Sequence, residues 1–178
     1  PAPPMSEYRM ILPESGAMSS LGYDKPVSFC VFDTRVNRFC HSQSGELNPW
    51  LTVRLPAPER VEWVHITNRV GNTRYRLNPF ELWVGNADGG VNGTRCGGLH
   101  RAPDTDYHPF AVRCGPNAIG SHVTLRLPGY RTLNIALIRV YGSAVTSPPL
   151  PPWPPVPSPP PPSPAPSTPP SPVAPPPP

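Results

Sequence analysis

Apolar and polar positions alternate with a period of two along much of the first 143 residues. Val123, Leu125 and Leu127 alternate with Thr124 and Arg126, and Leu133, Ile135 and Leu137 alternate with Asn134 and Ala136. Leu51-Thr52-Val53-Arg54-Leu55 follows the same rule, Val61 to Thr67 is rich in β-branched and aromatic residues, and Glu81-Leu82-Trp83-Val84 adds a shorter run. Successive side chains of an extended chain point to opposite faces, so the pattern predicts strands with one buried face. Turn signals separate them: Asn48-Pro49, Pro56-Ala57-Pro58, Asn78-Pro79, the glycine-rich stretch from Gly85 to Gly90, Gly115-Pro116-Asn117 and Pro128-Gly129. No segment of ten or more residues carries a helical apolar stripe free of proline and glycine. The expected fold class is therefore all-β, an antiparallel sandwich or jelly roll. Trp50, Trp63 and Trp83 fall inside strand-like runs and are expected in or beside its core.

Composition then splits the chain. Of 33 prolines, 20 lie between Pro148 and Pro178, and no charged residue follows Arg139. The expected division is a proline-rich lead-in at 1–5, a folded domain at 6–143 and a proline-rich tail at 144–178. Roughly 140 residues suffice for one domain with a real core. Proline fixes φ near the polyproline II value and lacks the backbone donor that helix or sheet would use, so the tail is expected to be extended. At about 3.1 Å per residue, the segment from Pro148 would reach about 95 Å. The opening Pro1-Ala2-Pro3-Pro4 resembles the tail's composition, and the chain is expected to be cut from a longer one or from a processed precursor. Trp153, the sole aromatic of the tail, is a candidate anchor for proline–aromatic packing.

Charge and cysteine usage narrow the chemistry. The net charge of +4 comes from the first segment, whose basic residues, all arginine except Lys25, are spread without runs or a recognisable fold motif. That argues against a nucleic-acid partner. No apolar run approaches the roughly 20 residues that span a bilayer. Four cysteines, Cys30, Cys40, Cys96 and Cys114, form no CxxC pair and fit two disulfides better than a zinc site. Of the three connectivities, Cys30–Cys40 with Cys96–Cys114 closes two short loops and is the expected one. Disulfides imply an oxidising, hence extracellular, compartment.

No nucleophile elbow, Ser/His/Asp context or phosphate-cradling glycine loop is present, so a non-enzymatic module is expected. The histidines at 41, 65, 100, 108 and 122 lack metal-ligand spacing, and no cofactor is expected. Asp88, Asp104 and Asp106 are candidates for a calcium site, with solvated turn carboxylates as the alternative. Asn92-Gly93-Thr94 is the single N-glycosylation sequon and makes Asn92 the candidate acceptor.

The runs Asn48 to Leu55, Val64-His65-Ile66-Thr67-Asn68-Arg69, Arg76-Leu77, Phe80 to Gly85 and the closing Leu137 to Gly142 together resemble the fucolectin or F-type lectin family. The resemblance covers about Ser19 to Gly142 and implies the galactose-binding-like jelly roll shared with discoidin domains. It also implies a sugar site made of one histidine and two basic residues, the latter in an Arg-x-Asp-x4-Arg/Lys arrangement. Arg69 and Arg76 match the basic positions and His41 is the candidate histidine. Gly71 stands where the family has aspartate, and Asn72-Thr73 where it has adjacent cysteines. Guanidinium forks suit sugar hydroxyls, whereas the bland alternative makes Arg69 and Arg76 solvated loop residues.

Ser158-Pro159-Pro160-Pro161-Pro162 and Ser171-Pro172 resemble the hydroxyproline-rich glycoproteins of green-algal and plant cell surfaces. That resemblance implies O-glycosylated hydroxyproline at Pro159, Pro160, Pro161, Pro162 and Pro172. The combined expectation is a structural or assembly glycoprotein of a cell wall, matrix or ciliary-surface fibre, of the mastigoneme type, self-assembling with neighbouring glycoprotein chains. The alternative is a fucose- or galactose-binding lectin displayed on a stalk. An assembly module is expected to have buried tail contacts and a blocked or vestigial Arg69/Arg76 pocket, and a lectin a pocket open to solvent with His41 beside it.

Overall fold

The computed structural model describes residues 8–144 except 36 and 104–108. The chain divides into two compact units, Pro1–Thr146 and Ser147–Pro178. Trp153 and the candidate hydroxyprolines lie outside the described residues, as do Asp104, Asp106 and His108.

The described unit is an all-β antiparallel sandwich. Twelve strands succeed one another: β1 (Arg9–Ile11), β2 (Ser15–Met18), β3 (Cys40–His41), β4 (Glu46–Leu47), β5 (Trp50–Thr67), β6 (Glu81–Gly85), β7 (Thr94–Arg95), β8 (Pro109–Arg113), β9 (Ile119–Arg126), β10 (Tyr130–Arg131), β11 (Asn134–Ile135) and β12 (Leu137–Ala144). A helical turn at Ser28–Val31 and a 3-10 turn at Arg74–Leu77 are the helical elements among the described residues. The long β5 joins the layers. Its first half lies between β2 and β9, with β6 and β7 beyond, and its second half lies between β12 and β8, with β1 beyond.

Register explains the core. Leu51, Leu125 and Leu82 stand side by side across three strands, as do Val53, Val123 and Val84. From the other layer Val64 aligns with Val140 and Val112, and Ile66 with Ile138. All are buried and join one cluster with Phe80, Leu77, Leu127, Leu133 and Ile135. Each such aliphatic side chain contributes roughly 1.5–3 kcal/mol relative to exposure. The disulfides are Cys30–Cys40 and Cys96–Cys114, the pairing that loop length predicted.

Three local expectations change. Residues 51–55 and 61–67 were expected as separate strands, yet they form one strand running through Pro56-Ala57-Pro58. Those residues are exposed and sit where the β5–β9 register shifts between Arg54 and Glu59, so no ladder N–H is required of the prolines. The single run expected at 133–137 splits instead into β11, paired with β3, and the start of β12. Leu133, Asn134, Ile135 and Ala136 are all buried, and the buried phase then moves to Ile138 and Val140 with Leu137 half-buried, so the alternation that runs on to Leu137 crosses from one strand into the next. The tryptophans are half-buried and out of phase with the core: Trp50 precedes Leu51, Trp63 precedes Val64, and Trp83 lies between Leu82 and Val84. They cover outer faces of the sheets.

The glycine-rich loop after β6 folds onto one such face. Gly89 N–H donates to Thr52 Oγ1 at 3.0 Å, the Thr52 and Thr124 hydroxyls share a 2.8 Å hydrogen bond, and Arg54 Nε donates to Asp88 at 2.9 Å. Asp88, a calcium candidate, is thus held by Arg54, whose hydrogen bond is the main cause lowering the carboxyl's pKa.

Candidate functional site

His41 closes β3, and three constraints fix it. Its strand pairs with β11, so that His41 faces Asn134 and Cys40 faces Ile135. Cys40 is tied to Cys30 in the preceding helical turn. The segment 22–25 is then laced to the strand: Gly22 N–H donates to His41 O at 2.8 Å and His41 N–H donates to Lys25 O at 3.0 Å. A Cβ on Gly22 would lie 2.2 Å from Ser42 O, so glycine alone permits this approach. The same lacing sets Tyr23 and Lys25 beside the imidazole. The Tyr23 ring meets it edge-on at 5.0 Å between centroids.

Arg69 and Arg76 come from the loop that follows β5. Buried Asn68 braces the loop at both ends: its Oδ1 accepts from Arg69 N–H at 2.9 Å and its Nδ2 donates to Arg74 O at 2.9 Å. Arg131 of β10 clamps the far side, because one guanidinium nitrogen, Nη2, donates to Arg76 O at 3.1 Å and also to Asn78 O. Leu77, fully buried, anchors the 3-10 turn to the core.

These segments enclose a cavity of about 330 Å³ lined by Tyr23, Lys25, Phe39, His41, Arg69 and Arg76. All three candidate sugar-site residues therefore line one pocket. His41 Nδ1 lies 2.5 Å from Ser42 O, so it carries the proton and donates, leaving the Nε2 lone pair toward Arg76 Nη1 at 3.5 Å. Burial, with lesser contributions from Arg76 and Arg69, lowers the His41 pKa and keeps the ring neutral at physiological pH, although the Ser42 carbonyl opposes the shift. The Arg69 guanidinium stacks 4.0 Å from the Phe39 ring centroid. Gly71, where the F-type pattern has aspartate, is exposed with φ +91°, and nothing lies within 4 Å of where a Cβ would be. Stacking on Phe39 and the weak contact of Arg69 Nε with Val70 O at 3.4 Å take the orienting place of a carboxylate. Chemically, the pocket offers two guanidinium forks, an ammonium, one imidazole acceptor and aromatic walls.

Tyr23, Lys25, Phe39 and Arg131 escape sequence reasoning, and Asn68, though part of the Val64–Arg69 run, is assigned no role by it. The first three sit in segments without periodicity, and only Gly22 and the short Cys30–Cys40 loop hint at a close approach there. The other described histidines lie elsewhere: His65 packs against Tyr141 with the rings tilted, His100 contacts Cys96 O, and His122 lies beside Asp88. Among the described residues no three His, Cys, Asp or Glu side chains gather as a metal site, and no helix is long and apolar enough to cross a membrane. Asn92 is exposed in the loop before β7, and the Thr94 hydroxyl donates to Asn117 O at 2.9 Å.

Comparison with known proteins agrees with this architecture. Residues 30–125 match the family described as NedA-like, galactose-binding domain. The pentraxin fusion protein of Xenopus laevis is 40% identical over 91 residues, which is 50% of this chain but 21% of that protein's length. Among solved structures, a fucolectin from striped bass (Morone saxatilis) serum superposes with a TM-score of 0.65 at 23% identity, covering 78% of this chain and 50% of that one. The lectin domain of lectinolysin, complexed with Lewis B antigen, gives 0.61 at 22% identity, covering 73% and 93%. A family 32 carbohydrate-binding module from Clostridium perfringens NanJ, in complex with galactose, gives 0.56 at 18%, covering 74% and 98%.

Proposed function

Because the chain belongs to the NedA-like, galactose-binding domain family, we propose that its sandwich is a lectin module that binds a terminal sugar in the His41/Arg69/Arg76 pocket. One observation carries the reading: two guanidinium forks and an imidazole lone pair converge on one open cavity of about 330 Å³. Guanidiniums donate to hydroxyl oxygens while His41 Nε2 accepts from a hydroxyl, so the pocket can satisfy a vicinal diol in both directions. Phe39 and Tyr23 supply apolar walls for ring C–H groups. Galactose and fucose are the first ligands to try, since the compared proteins include a fucolectin and a module crystallised with galactose.

An open pocket on which His41, Arg69 and Arg76 all converge favours the lectin over the fibre-assembly module, which expected a blocked or vestigial one. The two combine if the proline-rich segment acts as a stalk of an extracellular glycoprotein, with Asn92 carrying an N-linked glycan. The test is titration of the full chain with fucosylated and galactosylated oligosaccharides against the Arg69→Ala/Arg76→Ala variant. Saturable binding lost in the variant supports the lectin. A folded wild-type chain that binds none of these and no acidic sugar either sinks it and returns the domain to a structural role.

A further inference from the structure

The charge of the pocket points beyond a neutral sugar. Its lining holds three cations, Lys25, Arg69 and Arg76, a histidine kept neutral by burial, and no carboxylate. None of the three cations forms a salt bridge among the described residues: Lys25 Nζ lies 5.9 Å and 5.6 Å from the Phe29 and Phe39 ring centroids, and Arg69 stacks on Phe39. Asp33, a carboxylate in the neighbouring segment, is engaged by Arg35 and Arg38, and Glu46 accepts from Ser20. Position 71, which could have carried a negative charge into the loop, is glycine. Empty, the cavity gathers like charges against aromatic walls, where screening is weaker than in open solvent.

Resting on the lectin reading, we propose that the preferred ligand is an anionic sugar, a pyranose bearing a carboxylate or a sulfate, with Lys25 selecting for the charge. A carboxylate or sulfate matches the fork of a guanidinium in bidentate fashion, and an ammonium adds a point charge that needs no fixed geometry. The ring hydroxyls remain for His41 Nε2 and the second arginine. Bulk electrostatics alone do not account for selectivity here, because inorganic anions lack the ring that His41 and the aromatic walls contact.

The full chain is titrated calorimetrically at low salt with D-galacturonate, galactose 6-sulfate, D-galactose, L-fucose and sodium sulfate. The expected result is binding of at least one anionic sugar about tenfold tighter than either neutral sugar, with the margin shrinking as salt is raised. Lys25→Gln should cut the anionic-to-neutral ratio by about threefold or more, while Arg54→Gln, on the outer face of the first layer, leaves that ratio unchanged. Neutral sugars binding as tightly as anionic ones overturn the inference and leave the lectin reading standing. Sulfate ion matching galactose 6-sulfate overturns it as well, since the ring is then unrecognised. A ratio unmoved in a folded Lys25→Gln chain removes Lys25 from the role, and binding by no sugar of any kind overturns both readings.

Discussion

Nε2 of His41 faces Nη1 of Arg76 at 3.5 Å across the rim of the pocket, while Nδ1 of the same ring is committed to the Ser42 carbonyl at 2.5 Å. A protonated imidazole would lose its acceptor and place a third positive charge beside Arg76 and Arg69. Burial, then those two arginines, therefore lowers the histidine's pKa from its ordinary 6.5.

The sign of the pH dependence follows. A base with a depressed folded-state pKa binds its proton more readily when unfolded, so stability rises with pH across the shifted window. His41 and half-buried His65, whose pKa burial also lowers, thus contribute stability that is present above pH 6.5 and is lost as pH falls below it toward their folded values. Affinity for a neutral sugar should be level from neutral pH to 6.5 and drop on the acid side, where the imidazole loses its acceptor. His41→Gln, which keeps an acceptor but cannot titrate, should flatten that acid limb. A drop that begins well above 6.5, or an acid limb unchanged in His41→Gln, would count against the imidazole as acceptor.

Arg131 tests whether the loop conformation matters separately from the charges. Its guanidinium holds the carbonyls of Arg76 and Asn78 and does not line the pocket. Arg131→Met should leave the domain folded yet weaken sugar binding about tenfold, the equivalent of one charge-assisted hydrogen bond. Arg131→Lys should rescue little, because an ammonium lacks the planar fork. Binding unaffected in a folded Arg131→Met chain would show that Leu77 and the Asn68 hydrogen bonds secure the turn without it.

How far the sequence reaches is clear from particular residues. Leu51, Val53, Val123 and Leu125 announce their strands because the positions between them are polar: Thr52 and Thr124 are buried too, but under the glycine-rich loop, where their hydroxyls bond each other and Gly89 N–H. From Leu133 to Leu137 the alternation continues unbroken while the structure changes partner and the buried phase moves to Ile138 and Val140, so the pattern there joins two strands into one. His41, Arg69 and Arg76 were legible through the F-type resemblance, which places them at characteristic positions. Lys25 and Phe39 were not: Lys25 reaches the pocket through the Gly22–His41 lacing and Phe39 through the pairing of the adjacent Cys40 with Ile135, tertiary contacts with no periodic trace. Arg131 was hidden for the same reason: its role is to backbone carbonyls 53 and 55 residues away.

The two disulfides should separate function from stability. In the chain-entropy account, closing loops of 10 and 18 residues stabilises by about 3 kcal/mol each. Cys40 precedes His41, whereas Cys114 lies next to β8 and Cys96 next to β7, away from the pocket lining. Denaturant unfolding of Cys30→Ser/Cys40→Ser and of Cys96→Ser/Cys114→Ser should show comparable losses. Sugar affinity, measured under conditions where both variants remain folded, should fall in the first and hold in the second. Equal affinities would mean that β3 is positioned by its pairing with β11 alone.

Gly89 carries two independent demands, and a mutant cycle can divide them. Its φ of +61° is costly for a residue with a Cβ, and that Cβ would lie 2.6 Å from Trp50 Cε2, well inside contact distance. The backbone demand costs about 1 kcal/mol, and overpacking against the indole adds about 1–3 kcal/mol. Gly89→Ala should thus destabilise the domain by about 2–4 kcal/mol in urea unfolding. Trp50→Ala removes the steric partner but leaves φ unchanged. In the Trp50→Ala background the same alanine should cost only its backbone part, about 1 kcal/mol, so the cycle should return a coupling of about 1–3 kcal/mol. A coupling near zero would mean that the loop shifts away from Trp50 at little cost, and that Gly89 N–H to Thr52 and Arg54 to Asp88 do not hold it against the sheet.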